Sequence, residues 1–162
     1  MTRVADLNEE RLRILRRYLA DLSLAATVQY FPPGKEDRVV ASIEDSYYPD
    51  VIETARLEVR LRVNGDFNVQ YIEEWAGERW SCRWDRHPNT HNTREHFHSP
   101  PEPREDTAVT AAYPTDIGDV LRLVFGTIES RINDLWTTAT DPVFPSEYEF
   151  SDEYGGTYLV ES

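Results

Sequence analysis

Cysteine, methionine and lysine are almost absent from this chain of 162 residues. The single cysteine, Cys82, cannot form a disulfide within the chain, which fits a reducing compartment. Its alternation with Trp80 and Trp84 predicts a buried structural thiol. No run of about 18 apolar residues occurs, so the sequence predicts no membrane span. The first residues also lack the basic-then-apolar order of a secretory signal, and we therefore expect a cytoplasmic protein.

Positive charge is scarce and comes almost entirely from arginine. Thirty acidic residues against seventeen basic ones give a formal net charge of −13, and Lys35 is the one lysine. Carboxylates stay hydrated in brine, and dense salt screens their mutual repulsion. The composition predicts a salt-adapted, halophilic protein; the alternative is an acidic protein with a basic partner. The charge argues against undirected nucleic-acid binding at low salt, but it allows a local arginine cluster.

The sequence motifs of several enzyme classes are missing. The chain has no G-x-S-x-G nucleophile elbow, no P-loop, no G-x-G-x-x-G fingerprint and no H-E-x-x-H pair. These absences argue against a serine hydrolase of the elbow type, a P-loop nucleotide hydrolase, a dinucleotide-binding enzyme and a zinc protease of that motif. Any chemistry must come from another arrangement of side chains.

Hydrophobic periodicity predicts two helices. One covers residues 6–22, where an apolar stripe recurs at helical spacing, and the other covers 116–137, where a longer stripe does the same. The stripe of the first helix consists of Leu12, Leu15, Leu19 and Leu22. Asp6 and Asn8 are both credible N-caps for it.

Alternating segments between the helices predict an antiparallel sheet. The expected strands are residues 27–31, 38–44, 55–63, 67–75 and 79–85. A three-residue loop at Asn64–Asp66 and a four-residue loop at Ala76–Arg79 would join the last three strands into a meander with one aromatic face. Residues 86–114 are expected to be irregular. The fold class is α+β, an antiparallel meander with both helices packed on one face.

All four histidines of the chain lie within twelve residues, directly after the last strand of the meander. They are His87, His91, His96 and His98. Loops that a rigid sheet positions often carry function. If residues 95–98 are extended, His96 and His98 point to one side and Phe97 to the other.

One interpretation of this cluster is metal-independent cleavage of RNA. One histidine would remove the proton of the 2′-hydroxyl and another would protonate the leaving 5′-oxygen, because imidazole titrates near neutral pH. The candidate catalytic residues are His87, His91, His96, His98 and Asp85. The candidates for substrate binding are Arg83, Arg86 and Arg94, which suit phosphate, and Trp84 and Phe97, which suit stacking on unpaired bases.

Two other interpretations stay open. The four histidines, with Asp85 or Glu95, could hold a divalent transition metal such as zinc, although no cysteine ligands accompany them and no known zinc motif matches. Alternatively, the histidines are structural and pin the loop by hydrogen bonds. The cleavage hypothesis needs no cofactor.

The segment Arg83-Trp84-Asp85, followed by His87 and then by His96-Phe97-His98, resembles the TumE-like toxin family of bacterial and archaeal toxin–antitoxin systems. The resemblance covers residues 55–136 and leaves out the N-terminal helix. Arg86 stands where the family motif has asparagine, and the paired histidines of the family are spread out here. The resemblance implies a toxin that a helix-turn-helix antitoxin neutralises. The alternative is a non-enzymatic interaction domain, with or without a metal, in a halophilic protein.

The end of the chain is acidic and aromatic. Residues 132–162 hold seven carboxylates and no cation. We expect one domain over residues 1–142 and an acidic extension over 143–162. The extension is either a solvated tail or an added hairpin that folds back on the sheet or docks on a second copy in a homodimer.

Overall fold

A computed structural model of the chain describes residues 8–22, 24–31, 37–86, 95–104, 108–137 and 144. Within these residues, two helices accompany one seven-stranded antiparallel sheet, in which strands that follow each other in the chain are neighbours. The strands are β1 (Ala25–Phe31), β2 (Arg38–Ile43), β3 (Ile52–Leu61), β4 (Phe67–Trp75), β5 (Glu78–Arg86), β6 (Glu95–His98) and β7 (Ala108–Thr110). The helices are α1 (Glu9–Ala20) and α2 (Ile117–Thr137), and a 3-10 turn covers Asp45–Tyr47. The predicted α+β class is confirmed.

Helix α1 begins where a capping residue stands. The side chain of Asn8 accepts a hydrogen bond from the backbone amide of Arg11 at 3.0 Å, which identifies Asn8 as the N-cap. One face of the helix packs against β1, β2 and β3, and the leucines of this face, Leu12, Leu15 and Leu19, are buried. The periodicity that predicted the helix is therefore the periodicity of its packed face.

The turn between β3 and β4 has three residues, as predicted, but it lies one position earlier. Leu61 pairs with Phe67, whereas we predicted that Val63 would. Gly65 has a φ of +90°, which glycine adopts without steric cost, and it stands at the end of the loop. The predicted pairing is wrong by two residues, an even shift that leaves every side chain on its predicted face.

The turn between β4 and β5 has two residues rather than the predicted four. Trp75 pairs with Glu78, not with Trp80. Gly77 has a φ of +78°, so a two-residue turn can close there. This pairing is again shifted by two residues, and the predicted faces again survive.

The expectation of irregular structure over residues 86–114 is wrong at two places. Strand β6 pairs with β5, and β7 pairs with β6. Both strands are too short for a periodic signal, and the ladder that they join supplies the backbone hydrogen bonds that stabilise them.

The sheet has an apolar face and a polar face. Both helices pack on the apolar face, where they cover a core that includes Leu57, Val59, Val69, Tyr71, Cys82, Trp84 and Phe97. Cys82 is fully buried, as predicted, and burial raises the pKa of its thiol. The polar face carries arginine, carboxylate, amide and histidine side chains from β2 to β6.

Helix α2 is tied to the apolar face by a buried ion pair. Glu73 is fully buried, and its two carboxylate oxygens each accept a hydrogen bond of 3.0 Å from Arg131 of α2. Tyr71 and Trp75 donate to the same carboxylate at 2.8 and 3.0 Å. Burial alone acts to lower the pKa of Arg131, but the hydrogen bonds and the charge of Glu73 raise it above its usual value. The guanidinium also lies 3.8 Å above the centre of the Trp80 ring.

The predicted boundary near residue 142 falls outside the described residues, and so does the acidic extension apart from Phe144. The ring of Phe144 lies edge-on to Trp75, with 5.6 Å between ring centres. The proposed hairpin and its docking on a second copy stay predictions.

We expect salt to stabilise the fold. Two effects compete, because salt screens both the self-repulsion of a chain of net charge −13 and its favourable ion pairs. Pairs such as Arg79–Glu74, with 57% and 28% side-chain exposure, lose little, since exposed pairs contribute about 0–1 kcal/mol. The melting temperature in potassium chloride should therefore rise from roughly 0.1 M toward molar concentrations. A flat or falling curve contradicts salt adaptation.

Candidate functional site

Strands β5 and β6 bring predicted site residues together across one ladder. Arg83 pairs with His98, and Asp85 pairs with His96. Directly opposed residues of an antiparallel pair share a face, so these four side chains lie together on the polar face. The prediction that His96 and His98 would point to one side of an extended segment is confirmed. We call Asn68, Arg83, Asp85, His96 and His98 the polar cluster.

Asp85 lies at the centre of the polar cluster. Its side chain is fully buried, and three donors compensate for the water that the carboxylate has lost. Asn68 Nδ2 donates to Oδ1 at 2.9 Å, and Arg83 Nε donates to Oδ2 at 2.7 Å. The Nε2 atom of His98 lies 3.0 Å from the same Oδ2. The carboxylate is thus held in one orientation by residues of β4, β5 and β6.

The two ring nitrogens of His98 face different partners. Nδ1 lies 3.2 Å from the backbone carbonyl of Arg104, and because a carbonyl only accepts, Nδ1 carries a proton and donates it. Nε2 faces the Asp85 carboxylate and also lies 3.4 Å from Arg83 Nη2. The contact that can pass a proton is therefore the one between His98 Nε2 and Asp85 Oδ2.

His96 lies beside this pair. The rings of His96 and His98 are 6.4 Å apart between centres, and the His96 residue is only 3% exposed. The backbone carbonyl of His96 accepts a hydrogen bond from the hydroxyl of Tyr113. Burial raises the pKa of that phenol well above its usual range, so the hydroxyl keeps its proton and holds β6 in place.

Three other predicted site residues do not join the polar cluster. Trp84 and Phe97 are fully buried in the core, with ring centres 5.5 Å apart, so this arrangement gives neither of them a surface on which a base can stack. Arg86 lies over the ring of Phe67 and bonds to Glu95 and to the carbonyl of Pro114 at 2.9 and 2.7 Å. All three placements follow from the alternation of side chains along a strand, which puts these residues on the opposite face of the sheet from Arg83 and Asp85.

The remaining predicted residues, His87, His91 and Arg94, lie outside the described residues, and their roles stay predictions. Among the residues that the structure does describe, no group of three or more histidine, cysteine, aspartate or glutamate side chains is arranged to hold a metal ion. The zinc alternative used all four histidines, two of which are in the undescribed segment, and it also stays a prediction.

Sequence reasoning missed Asn68 and the carbonyl of Arg104. Asn68 pairs directly with Asp85 in the observed register, whereas the predicted four-residue loop would have placed residue 87 opposite it. The signal was a polar residue on the outward face of a strand, but it could be interpreted only with the correct turn. The approach of Arg104 depends on how the chain returns after β6, which no local pattern encodes.

The family model of the toxin TumE matches residues 11–132 of this chain. The match covers more than half of the 162 residues and includes every strand and the polar cluster. The chain therefore belongs to the TumE family of toxins, and the resemblance that we drew from residues 55–136 extends into α1. No curated protein and no solved structure matches the chain significantly. No helix in the described part of the chain combines the length and apolar character that crossing a membrane requires.

Proposed function

We propose that this chain is the toxin of a toxin–antitoxin pair and that its polar cluster cleaves RNA without a metal ion. The observation that carries the proposal is the contact of 3.0 Å between His98 Nε2 and Asp85 Oδ2, with Arg83 on the same oxygen. His98 and Asp85 can exchange a proton across this contact, and Arg83 beside them is a cation that suits phosphate. The family supports the toxin role and, with it, an antitoxin partner; a helix-turn-helix partner and a cytoplasmic location belong to the proposal.

The reaction is an attack of the 2′-oxygen of ribose on the adjacent phosphorus. The bond from phosphorus to the 5′-oxygen breaks, which leaves a 2′,3′-cyclic phosphate on one fragment and a 5′-hydroxyl on the other. In our assignment, the Asp85 carboxylate accepts the proton of the 2′-hydroxyl, and His98 orients that carboxylate through Nε2. His96 protonates the 5′-oxygen, and Arg83 stabilises the charge that develops on the phosphate.

Binding of substrate and activation of the base are coupled in this scheme. Arg83 is the more exposed partner of its ion pair, with 29% of its side chain exposed against 0% for Asp85. A phosphate that arrives at the polar face meets this guanidinium first and accepts hydrogen bonds from it. When Arg83 turns to the phosphate, Asp85 loses one of its three donors and becomes a better proton acceptor.

A non-enzymatic role is the second candidate, and burial favours it. Asp85, His96 and His98 are all at most 3% exposed, as expected of a network that only fixes β6 to the sheet. In an interaction domain of this kind, loss of the histidines would lower stability and leave RNA untouched. The two candidates thus differ in what loss of the histidines changes: RNA cleavage in the first, and stability in the second.

Expression in a host without the antitoxin tests the proposal. We expect the wild-type chain to arrest growth and degrade RNA, and Arg83→Ala and His96→Ala/His98→Ala to do neither. Arg79→Ala is the matched control, because Arg79 also lies on β5 but pairs with Glu74 outside the polar cluster. Growth and total RNA are scored, together with the melting temperature of each purified variant. Equal growth and intact RNA with wild type and all variants contradict the toxin proposal.

A further inference from the structure

A cleft on the polar face extends from the polar cluster to side chains that the proposed chemistry does not use. Its volume is about 260 Å³, and it reaches from β5 across β4 and β3 to β2. We call it the arginine cleft. Its lining consists of Arg38, Glu58, Arg60, Asn68, Gln70, Arg83 and Asp85. Arg83, Asp85 and Asn68 belong to the polar cluster as well, so the cleft is continuous with the proposed site of cleavage.

Hydrogen-bond donors dominate the far half of the arginine cleft. Arg38 pairs with Glu58 at 3.1 Å, and Glu58 also accepts from Arg56 at 2.9 Å, so two cations share one carboxylate. Arg60 lies 3.5 Å from Asp37, and 36% of its side chain is exposed. Gln70 adds an amide to the same lining. In a chain of net charge −13, a concave surface with this excess of donors is a local exception.

We propose that the arginine cleft binds the nucleotide next to the cleaved bond of a single-stranded RNA. Arg38 and Arg60 hold its phosphate, and Gln70 donates to or accepts from a base edge. Guanidinium groups match phosphate oxygens in pairs, and an amide matches the paired donor and acceptor of a base. The proposal rests on the proposed function, because it takes Arg83 as the point where the backbone enters the site of cleavage.

The test measures binding separately from cleavage. Fluorescence anisotropy follows a short single-stranded RNA whose 2′-hydroxyls are methylated, so that it cannot be cleaved by 2′-oxygen attack. We expect Arg60→Ala/Gln70→Ala to weaken binding by about tenfold or more, and to reduce the slope of log affinity against log salt by about 0.7 for the lost phosphate contact. Arg79→Ala removes a charge from the same face of the sheet but outside the cleft, and this variant should bind as the wild-type chain does. The side chains replaced in the two variants are at least partly exposed, so a melting temperature like that of the wild-type chain shows that a variant is folded.

The outcomes separate this proposal from the proposed function. If the wild-type chain binds the methylated RNA through Arg60 and Gln70 but never cleaves unmethylated RNA, the cleft is an RNA-binding site and the cleavage proposal fails. If it cleaves RNA, and Arg60→Ala/Gln70→Ala binds and cleaves with unchanged constants, the subsite is refuted and the cleavage proposal stands. If a polyglutamate peptide binds the cleft more tightly than RNA does, the cleft belongs to an acidic protein partner and the subsite is again refuted.

Discussion

Replacement of Asp85 by asparagine should lower the rate of RNA cleavage by the purified chain by about 10²–10⁴-fold, the usual contribution of a general base. Asparagine keeps the shape of the side chain, but its single oxygen can accept a hydrogen bond from Asn68 or from Arg83, not from both. It cannot take a proton from the 2′-hydroxyl or from His98 Nε2. The loss should therefore be in kcat rather than in binding. Initial rates on a single-stranded RNA oligonucleotide measure it.

The control for this variant is Glu74→Gln. It makes the same chemical change on the neighbouring strand, where Glu74 pairs with Arg56 and Arg79 rather than with the polar cluster. Its rate should stay within a few-fold of wild type, as surface ion pairs contribute little. If Asp85→Asn, with an unfolding curve like that of the wild-type chain, cleaves as fast as Glu74→Gln does, Asp85 is not part of the base.

Replacement of Arg131 by methionine should lower the free energy of unfolding by about 3–5 kcal/mol, since it leaves a charged Glu73 buried without its cation. Both hydrogen bonds from α2 to that carboxylate are lost, and so is the contact of the guanidinium with Trp80. The midpoint and slope of urea unfolding give the size of the change.

The matched comparison is the double variant Glu73→Gln/Arg131→Met. Its neutral amide can accept from Trp75 through the oxygen and donate to the Tyr71 hydroxyl through the nitrogen, so the double variant should recover part of the loss. A single variant as stable as the wild-type chain, or a double variant less stable than the single one, would show that the ion pair does not anchor α2. RNA cleavage by the folded fraction should be unaffected, because Glu73 lies on the opposite face of the sheet from the polar cluster.

Local signals predicted most of the helices and the faces of the sheet. The Asn8 cap and the leucine stripe are both local to α1, and they predicted it as residues 6–22, three residues too long at the start and two at the end. The predicted pairing differs from the observed one by two residues at both central turns, β3–β4 and β4–β5. The predicted faces are nevertheless right, since side chains alternate with a period of two. Strands β6 and β7 were missed, because four and three residues carry no readable period.

The site was predictable only where it depends on that alternation. Alternation places Arg83 with Asp85, and His96 with His98, on one side of their strands, whereas the pairing of β5 with β6 that joins the two pairs was not predicted. Partners that come from distant segments were not predictable. Glu73 is a charged residue on an apolar strand face, and its partner Arg131 lies 58 residues further along the chain.

The chemical identity of the RNA ends that the purified chain produces tests the central claim most directly. Cleavage by attack of the 2′-oxygen predicts fragments with 2′,3′-cyclic phosphate and 5′-hydroxyl ends, formed equally well when a chelator is present and about 10²–10⁴-fold more slowly by Asp85→Asn. Fragments with 5′-phosphate ends, cleavage that stops when the chelator is added, or intact RNA with the folded wild-type chain would contradict the account.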